Sequence, residues 1–480
     1  MTPPHFPKFT NEPAIVEDIA VAERGTAVTT PRARRGLIIF AVALFAAWTV
    51  YQALPLEVAP RKGLALLTFV AIMWLSEAVH TTVTALMVPV GALMLGFEGF
   101  NTSKMLTTFA DPTIFLFFGG FAIATALHVQ KLDRKIALYL IALSGQHLGL
   151  AIVLLLAVTA GLSMWISNTA TAAMMLPLVL GFMENLGKTD DARNVRVFLL
   201  LGMAYAASIG GLGTLVGSPP NVIAAQRLGM DFAAWMKLGL PLMLIMLPLM
   251  LLVLWFMLRP NLNRRIEIPH EDIPWTPRRI LTIVVFVLTA VCWIFSGPLV
   301  KTKLGISSPD TFIAIAAIVA VVTLGLASWQ QVSAGTEWGV LLLFGGGLTL
   351  SALLKSSGAA AVLGDAVASA LGGTSPLLVM LGTALFIIFL TEFTSNSASA
   401  ALLVPVFAAI AKPMGMPEAA LVMMIGVGAS FAFMMPVATP PNAIVFGSGQ
   451  LRQSDMVRAG LVLNIVSTLL LGLWGWLVLL

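Results

Sequence analysis

Apolar blocks of roughly 20 residues recur along most of the chain, separated by short polar joints, and that is the length a helix needs to cross a bilayer. They predict a first helix over 37–57, helices at 63–80 and 82–98, and a long interrupted segment, 112–145. An apolar hairpin over 149–186, a broken segment over 195–229 and a helix over 235–258 complete the first half. After a polar stretch, 259–279, the pattern returns as 280–297, 309–328, 338–371, 375–411, 417–448 and 456–480. The long uninterrupted blocks do not alternate at every second residue, as the strands of a membrane β-barrel would. The pattern predicts an all-α polytopic membrane protein with about 11 transmembrane helices.

The recurrence extends to individual residues. Phe117-Phe118-Gly119-Gly120 returns as Leu343-Phe344-Gly345-Gly346, and Ser167-Asn168-Thr169 as Ser395-Asn396-Ser397. Gly217-Ser218-Pro219-Pro220-Asn221 returns as Ala438-Thr439-Pro440-Pro441-Asn442. The displacements are 226, 228 and 221 residues, close enough to mark an internal duplication. The expected organisation is a tail over 1–36, an extra first helix over 37–57, a repeat over 58–258, a linker over 259–279 and a second repeat over 280–480. The repeats carry hairpins at 149–186 and 375–411 and broken helices at 195–229 and 417–448. If each hairpin enters and leaves by one side, each repeat crosses the membrane an odd number of times, which turns the second copy upside down. Inverted repeats meeting near mid-membrane are a transporter architecture, because one site can then open to either side.

Charge agrees with that topology. Arg32-Ala33-Arg34-Arg35 precedes the first apolar block and should hold the tail in the cytoplasm. The linker, with Arg259, Arg264, Arg265, Arg278 and Arg279, then falls on the same side. Arg61, Lys62, Lys301 and Lys303 fall on the opposite one. The net charge of +5 therefore reads as membrane topology rather than as a nucleic-acid surface. Only 10% of the residues are charged, against about 25% in soluble chains, and the mean hydropathy is +0.96. A single cysteine, Cys292, excludes a disulfide framework and a cysteine-based metal centre. Neither an H-E-x-x-H motif nor a Ser with an obvious Lys or His base is present, so an intramembrane enzyme is not expected.

The chemistry gathers at the duplicated motifs. Each Ser-Asn tripeptide sits midway through an apolar stretch long enough to enter the bilayer twice, within 163–171 and 391–399. Ser, Thr and Asn favour turns and helix N-caps, so each stretch predicts a helix–tip–helix with a polar tip. Backbone turning at that depth survives only against protein or a water-filled cavity. The helix leaving each tip also aims its N-terminal amides at the cavity. The Pro-Pro-Asn segments cannot be continuous helix, and the breaks free carbonyl oxygens suited to a hard monovalent cation. Ser218, Thr439, Asn221 and Asn442 add side-chain oxygen. Two cation sites follow, one from a break with Ser163, Ser167 and Asn168, the other from a break with Thr391, Ser395 and Asn396. Between them lies a space with hydrogen-bond donors and almost no basic side chains. A carboxylate-bearing anion suits it, with co-bound sodium ions offsetting the cost of an anion in low dielectric.

These residues resemble the divalent anion–sodium symporter family, which includes the INDY-type dicarboxylate transporters. The resemblance rests on the hairpin tips, the Gly-rich breaks and the run Ser430-Phe431-Ala432-Phe433-Met434-Met435-Pro436-Val437-Ala438-Thr439-Pro440-Pro441-Asn442, and covers about residues 60–480. It implies a homodimer in the cell membrane with scaffold and transport domains, an elevator motion, and sodium-coupled carriage of C4-dicarboxylates such as succinate, malate or fumarate. It assigns Ser167, Asn168, Thr169, Ser395, Asn396, Ser397 and Pro440 to substrate. It assigns Ser163, Ser167, Asn168, Gly211, Gly213, Thr391, Ser395, Asn396 and Ala438 to sodium. The second tip departs from the family, reading Ser-Asn-Ser where Ser-Asn-Thr is usual; Ser397 keeps the hydroxyl and loses a methyl. Sodium-independent dicarboxylate exchange, and symport of sulfate or citrate, are the alternatives within the family. Glu77 and His80 read as helix-end residues, and Glu392, the acidic residue nearest a tip, as either a structural hydrogen-bond acceptor or a modulator of the cation site.

Overall fold

The computed structural model describes residues 31–184, 190–263, 273–371 and 373–480. Most of the expected tail, including Arg32's neighbours before residue 31, lies outside them, as do Arg264 and Arg265 of the linker. The described residues are helical, without strands. The first helix, α1, spans Pro31–Ala53. There follow α2 (Val58–Ser76), α3 (Thr81–Leu95), the short α4 (Thr102–Leu106), α5 (Pro112–Val129) and α6 (Leu132–Ala142). The first hairpin is α7 (Leu148–Ser163) and α8 (Asn168–Glu184). The first broken helix is α9 (Asp190–Gly210) and α10 (Pro219–Leu228), and α11 (Phe232–Leu258) closes this half.

The second half repeats the order. It runs α12 (Pro277–Ile294), α13 (Pro309–Thr323), α14 (Trp329–Gly335), α15 (Trp338–Ser356) and α16 (Ala359–Leu371). Then come the hairpin α17 (Pro376–Leu390) and α18 (Asn396–Ala411), the broken helix α19 (Glu418–Gly428) and α20 (Pro440–Gly447), and α21 (Gln453–Val478). From α2 and α12 onward, each element has a counterpart of the same kind. The short helices α4 and α14 are additions to the sequence reading. They are too brief to show an apolar period, and Asn101 and Ser328 cap them by accepting from backbone amides.

Eight described helices are long and apolar enough to cross a membrane, up to nine with one bent pair, α16 and α17, counted as a span. The hairpin arms α7, α8 and α18 fall among the shorter apolar helices. An arm of α7's 16 residues extends about 24 Å, short of the roughly 30 Å of a bilayer core. The paired prolines start helices rather than kink them, since Pro219 and Pro440 open α10 and α20 where their missing N–H groups have no partner to lose.

The repeats interlock. A Cβ added to Gly119 of α5 would lie 2.6 Å from Ala314 Cβ of α13, and one added to Gly346 of α15 would lie 2.6 Å from Ala85 Cβ of α3. Each Gly-Gly helix thus lies backbone-close on a helix of the other half, which is why the duplicated motif needs glycine. At the centre lies α9, whose apolar window is 94% buried, against 11% for α1.

Candidate functional site

Both hairpin tips form as local chemistry dictates. Ser167 Oγ accepts from Ala170 N at 3.3 Å and Ser395 Oγ from Ala398 N at 3.4 Å, so each tip serine caps the helix leaving its tip. The breaks close by one device used twice. Asn221 Nδ2 donates to Gly211 O (2.7 Å) and Thr214 O (2.8 Å), ten and seven residues earlier. Asn442 Nδ2 donates to Ala432 O (3.1 Å) and Met435 O (3.0 Å), again ten and seven residues earlier. The asparagine of each Pro-Pro-Asn therefore satisfies two carbonyls that the break sets free. Gly211 O, expected to face a cation, gives one lone-pair position to Asn221. The oxygens Asn221 Oδ1, Asn442 Oδ1 and Asn396 Oδ1 are buried without a hydrogen-bond donor.

Long-range bonds tie tips to breaks. Ser163 Oγ donates to Ala207 O of α9 at 2.6 Å, and Thr214 Oγ1 donates to Met164 O of the first tip. The Asn168 carboxamide sits beside Ser163 Oγ, Ala207 O and Gly217 O. With its nitrogen turned toward them the distances are 2.7, 3.0 and 3.2 Å. In the second half, Glu392 is fully buried and accepts from Phe433 N (2.7 Å), Met434 N (2.9 Å), Met435 N (2.9 Å) and Asn464 Nδ2 (2.6 Å). It clamps the second break. Tyr205 OH of α9 donates to Phe433 O at 2.7 Å, and Ser218 and Ser430 hydroxyls meet at 3.3 Å, joining the two breaks.

One cavity of about 490 Å³ lies between these parts. Ser167, Asn168 and Thr169 line it from the first tip, and Ser395, Asn396 and Ser397 from the second. Pro440 and Ala438 line it from the second break, and Val216 to Pro220 from the first. Every residue the resemblance assigned to substrate thus faces the same space. Of the remaining residues assigned to sodium, Ser163 is buried behind the first tip, against Asn168, and Gly211 lies beside it. Gly213 lies against Met164 and Met243, and Thr391 Oγ1 donates back to Ile388 O at 3.2 Å. In the second hairpin, the hydroxyl that reaches the departing helix belongs instead to Thr394, 2.7 Å from Ser399 Oγ.

Among the described residues the cavity wall holds no Lys, Arg or His, but it does hold two carboxylates, Glu77 and Glu337. Glu77 ends α2 in the left-handed region, at φ 47°. Glu337 is the N-cap of α15 yet makes no capping bond, and its side chain meets the Ser167 hydroxyl. Its counterpart, Asp111, 226 residues earlier, caps α5 by accepting from Thr113 N at 2.9 Å. Although the 226-residue displacement of the Gly-Gly motif pairs it with Asp111, the sequence reading did not single out Glu337. What freed its side chain for the cavity is tertiary. His80 stays a helix-end residue, accepting from Thr82 N at 3.3 Å.

A methyl group tests the closeness of tip and break. A Cβ on Gly211 would lie 2.5 Å from Asn168 Oδ1 and 3.0 Å from Gly217 O. Gly211→Ala is expected to destabilise the protein by about 1–3 kcal/mol through overpacking. Gly161→Ala, with nothing within 4 Å, is expected to be neutral by comparison. Thermal unfolding of the two purified variants measures the difference.

Comparison with known proteins places the chain in a family of transporters. The family described as the sodium:sulfate symporter transmembrane region matches residues 33–480. A transporter of Haemophilus influenzae is 51% identical over 452 residues, covering 93% of this chain and 97% of its own. A sodium-dependent dicarboxylate transporter of Staphylococcus aureus, SdcS, is 31% identical over 452 residues, covering 86% of this chain and 85% of its own. Among solved structures, the YdaH transporter of Alcanivorax borkumensis has the same fold at a TM-score of 0.59 and 14% identity, over 84% of this chain and 99% of that one. With the family spanning almost its whole length, this multi-pass membrane protein is a transporter and belongs to the sodium:sulfate symporter family.

Proposed function

We propose that the protein is a sodium-coupled symporter of C4-dicarboxylates such as succinate, malate and fumarate, working in the cell membrane with its N-terminus cytoplasmic. The observation that carries this reading is the convergence of the hydroxyls and amides of both Ser-Asn tips on one cavity whose wall, among the described residues, holds no basic side chain. Its volume lies within the range of small-ligand sites, about 300–1,000 Å³. The sodium-dependent dicarboxylate relative supports the choice of cargo.

The electrostatics argue for coupling. A dianion in this cavity meets the carboxylates of Glu337 and Glu77 and no compensating cation from the protein. Bringing it out of water alone is costly, so its loading requires positive charge beside it. The first tip provides for that charge. Asn168 faces Ser163 Oγ, Ala207 O and Gly217 O, and an inward turn of its own oxygen would make a four-oxygen cluster fit for sodium. In the second tip, Asn396 Oδ1 and Asn442 Oδ1 are buried oxygens still able to accept a cation. Tip hydroxyls and the N-terminal amides of α8 and α18 then hold the carboxylates of the cargo.

The repeated order of elements supports two inverted copies whose tips open the cavity to either side in turn. A scaffold and a moving transport domain, paired in a homodimer, complete the reading. Labelled succinate is offered to proteoliposomes with a sodium gradient, with potassium alone, and with potassium and internal malate. Uptake driven by the sodium gradient alone is the expected result. Uptake that needs only preloaded malate makes the protein an exchanger. Uptake of sulfate or citrate, with none of succinate, overturns the cargo.

A further inference from the structure

We propose that the groove between α1, α2 and α3 binds one anionic phospholipid, its phosphate at Arg61 and Lys62 and one acyl chain along the groove. The groove is a cavity of about 460 Å³ on the membrane-facing side of these helices, lined by Phe40, Leu44, Trp48, Met87 and Met94 among other apolar residues. Phe40 and Phe69 close one end, ring edge to ring face with centroids 5.5 Å apart. Tyr51 lines the other end. From Phe40 to Tyr51 the helix advances about 16 Å at 1.5 Å per residue, close to the half-thickness of a bilayer core, about 15 Å. One acyl chain fits that length.

Charge collects at the Tyr51 end. The Arg61 guanidinium lies over the Tyr51 ring, 5.3 Å from its centroid, and Nη1 donates to Tyr51 O at 3.5 Å. Lys62 Nζ donates to Gly96 O at 2.9 Å, beside the lining residue Leu95. Neither side chain forms an ion pair with a carboxylate among the described residues, although Glu57 is close along the chain. Arg61 Nε is buried with no acceptor, a donor that a folded protein rarely leaves unmet. Both basic residues sit at a helix start, at the depth where headgroups lie. A phosphate beside the open edge of the guanidinium and the Lys62 ammonium supplies the missing counter-charge, and guanidinium geometry favours it. A zwitterionic lipid brings an ammonium that opposes the two cations, so the site selects an anionic headgroup.

The test uses the whole purified protein in mild detergent, titrated with phosphatidylglycerol or with phosphatidylcholine of identical acyl chains. Native mass spectrometry counts retained lipid, and the Tm is followed in parallel. One phosphatidylglycerol is expected to remain on each protomer and to raise the Tm more than phosphatidylcholine does. Joint substitution of Arg61→Gln and Lys62→Gln is expected to weaken phosphatidylglycerol retention about tenfold or more, leaving phosphatidylcholine unchanged. Ala47→Trp, placing an indole in the groove, is expected to remove both lipids. Equal retention of the two lipids by the unaltered protein overturns the proposal, as does undiminished phosphatidylglycerol in the double variant. Loss of a dimer in Ala47→Trp, with no lipid bound to the unaltered protein, assigns the groove to a second copy and overturns it equally. If Ala47→Trp does not fold, the double variant decides alone.

Discussion

Asn168→Ala and Asn396→Ala each abolish sodium-driven succinate uptake while the protein still inserts and assembles. Both asparagines occupy the first position of the helix leaving a tip, and both line the central cavity. In the proposed cycle each carboxamide serves twice, its oxygen beside a sodium ion and its amide toward a carboxylate. A hydrogen bond to a charged group contributes about 1.5–3 kcal/mol. Losing both roles costs about 3–6 kcal/mol, at least a hundredfold in affinity. The fold tolerates the change better than function does. Asn396 Oδ1 has no hydrogen-bond donor to lose, and the tip caps come from Ser167 and Ser395, which remain. The measurement is initial uptake into proteoliposomes, with size-exclusion profile and Tm as controls. Normal uptake by either variant removes the tips from the cargo site.

Glu392→Ala gives the largest loss of stability. Of the two roles open to this lone intramembrane carboxylate, the structural one holds, because Glu392 points away from the cavity and into the backbone of the second break. Alanine leaves the amides of Phe433, Met434 and Met435 and the Asn464 side chain without their acceptor. Each buried donor left unmet costs about 1–3 kcal/mol, so the sum rivals the whole stability of a typical domain, about 5–15 kcal/mol. The expected result is failure to accumulate as a monodisperse protein. Glu392→Gln keeps one acceptor oxygen and turns an amide nitrogen toward a backbone N–H, so an intermediate loss is expected. Its Tm, compared with that of the unaltered protein in the same detergent, checks the order. An unchanged Tm for Glu392→Ala refutes the clamp.

Much of this architecture was legible along the chain because its causes are local. A bilayer demands long apolar blocks, so α1, α2, α11 and α21 declare themselves by length alone. A Ser-Asn turn inside an apolar stretch names a tip, and paired prolines name a break, since both effects act within a few residues. The short helices α4 and α14 carry too few residues for a period to show.

What only tertiary structure decided is where side chains from distant positions end. Glu392 meets amides 41 to 43 residues away and Asn464 at a separation of 72. Asp111 and Glu337 hold matching places in the duplicated chain, yet one caps its own helix and the other turns to the cavity. Arg61 and Lys62 looked like topology markers until α1 and α3 framed a groove beside them. The amino-acid order by itself determined spans, tips and breaks, because backbone hydrogen bonds must be satisfied locally in lipid. The partners of the polar side chains were decided by packing, because those bonds join residues that only the folded chain brings within 3 Å of one another.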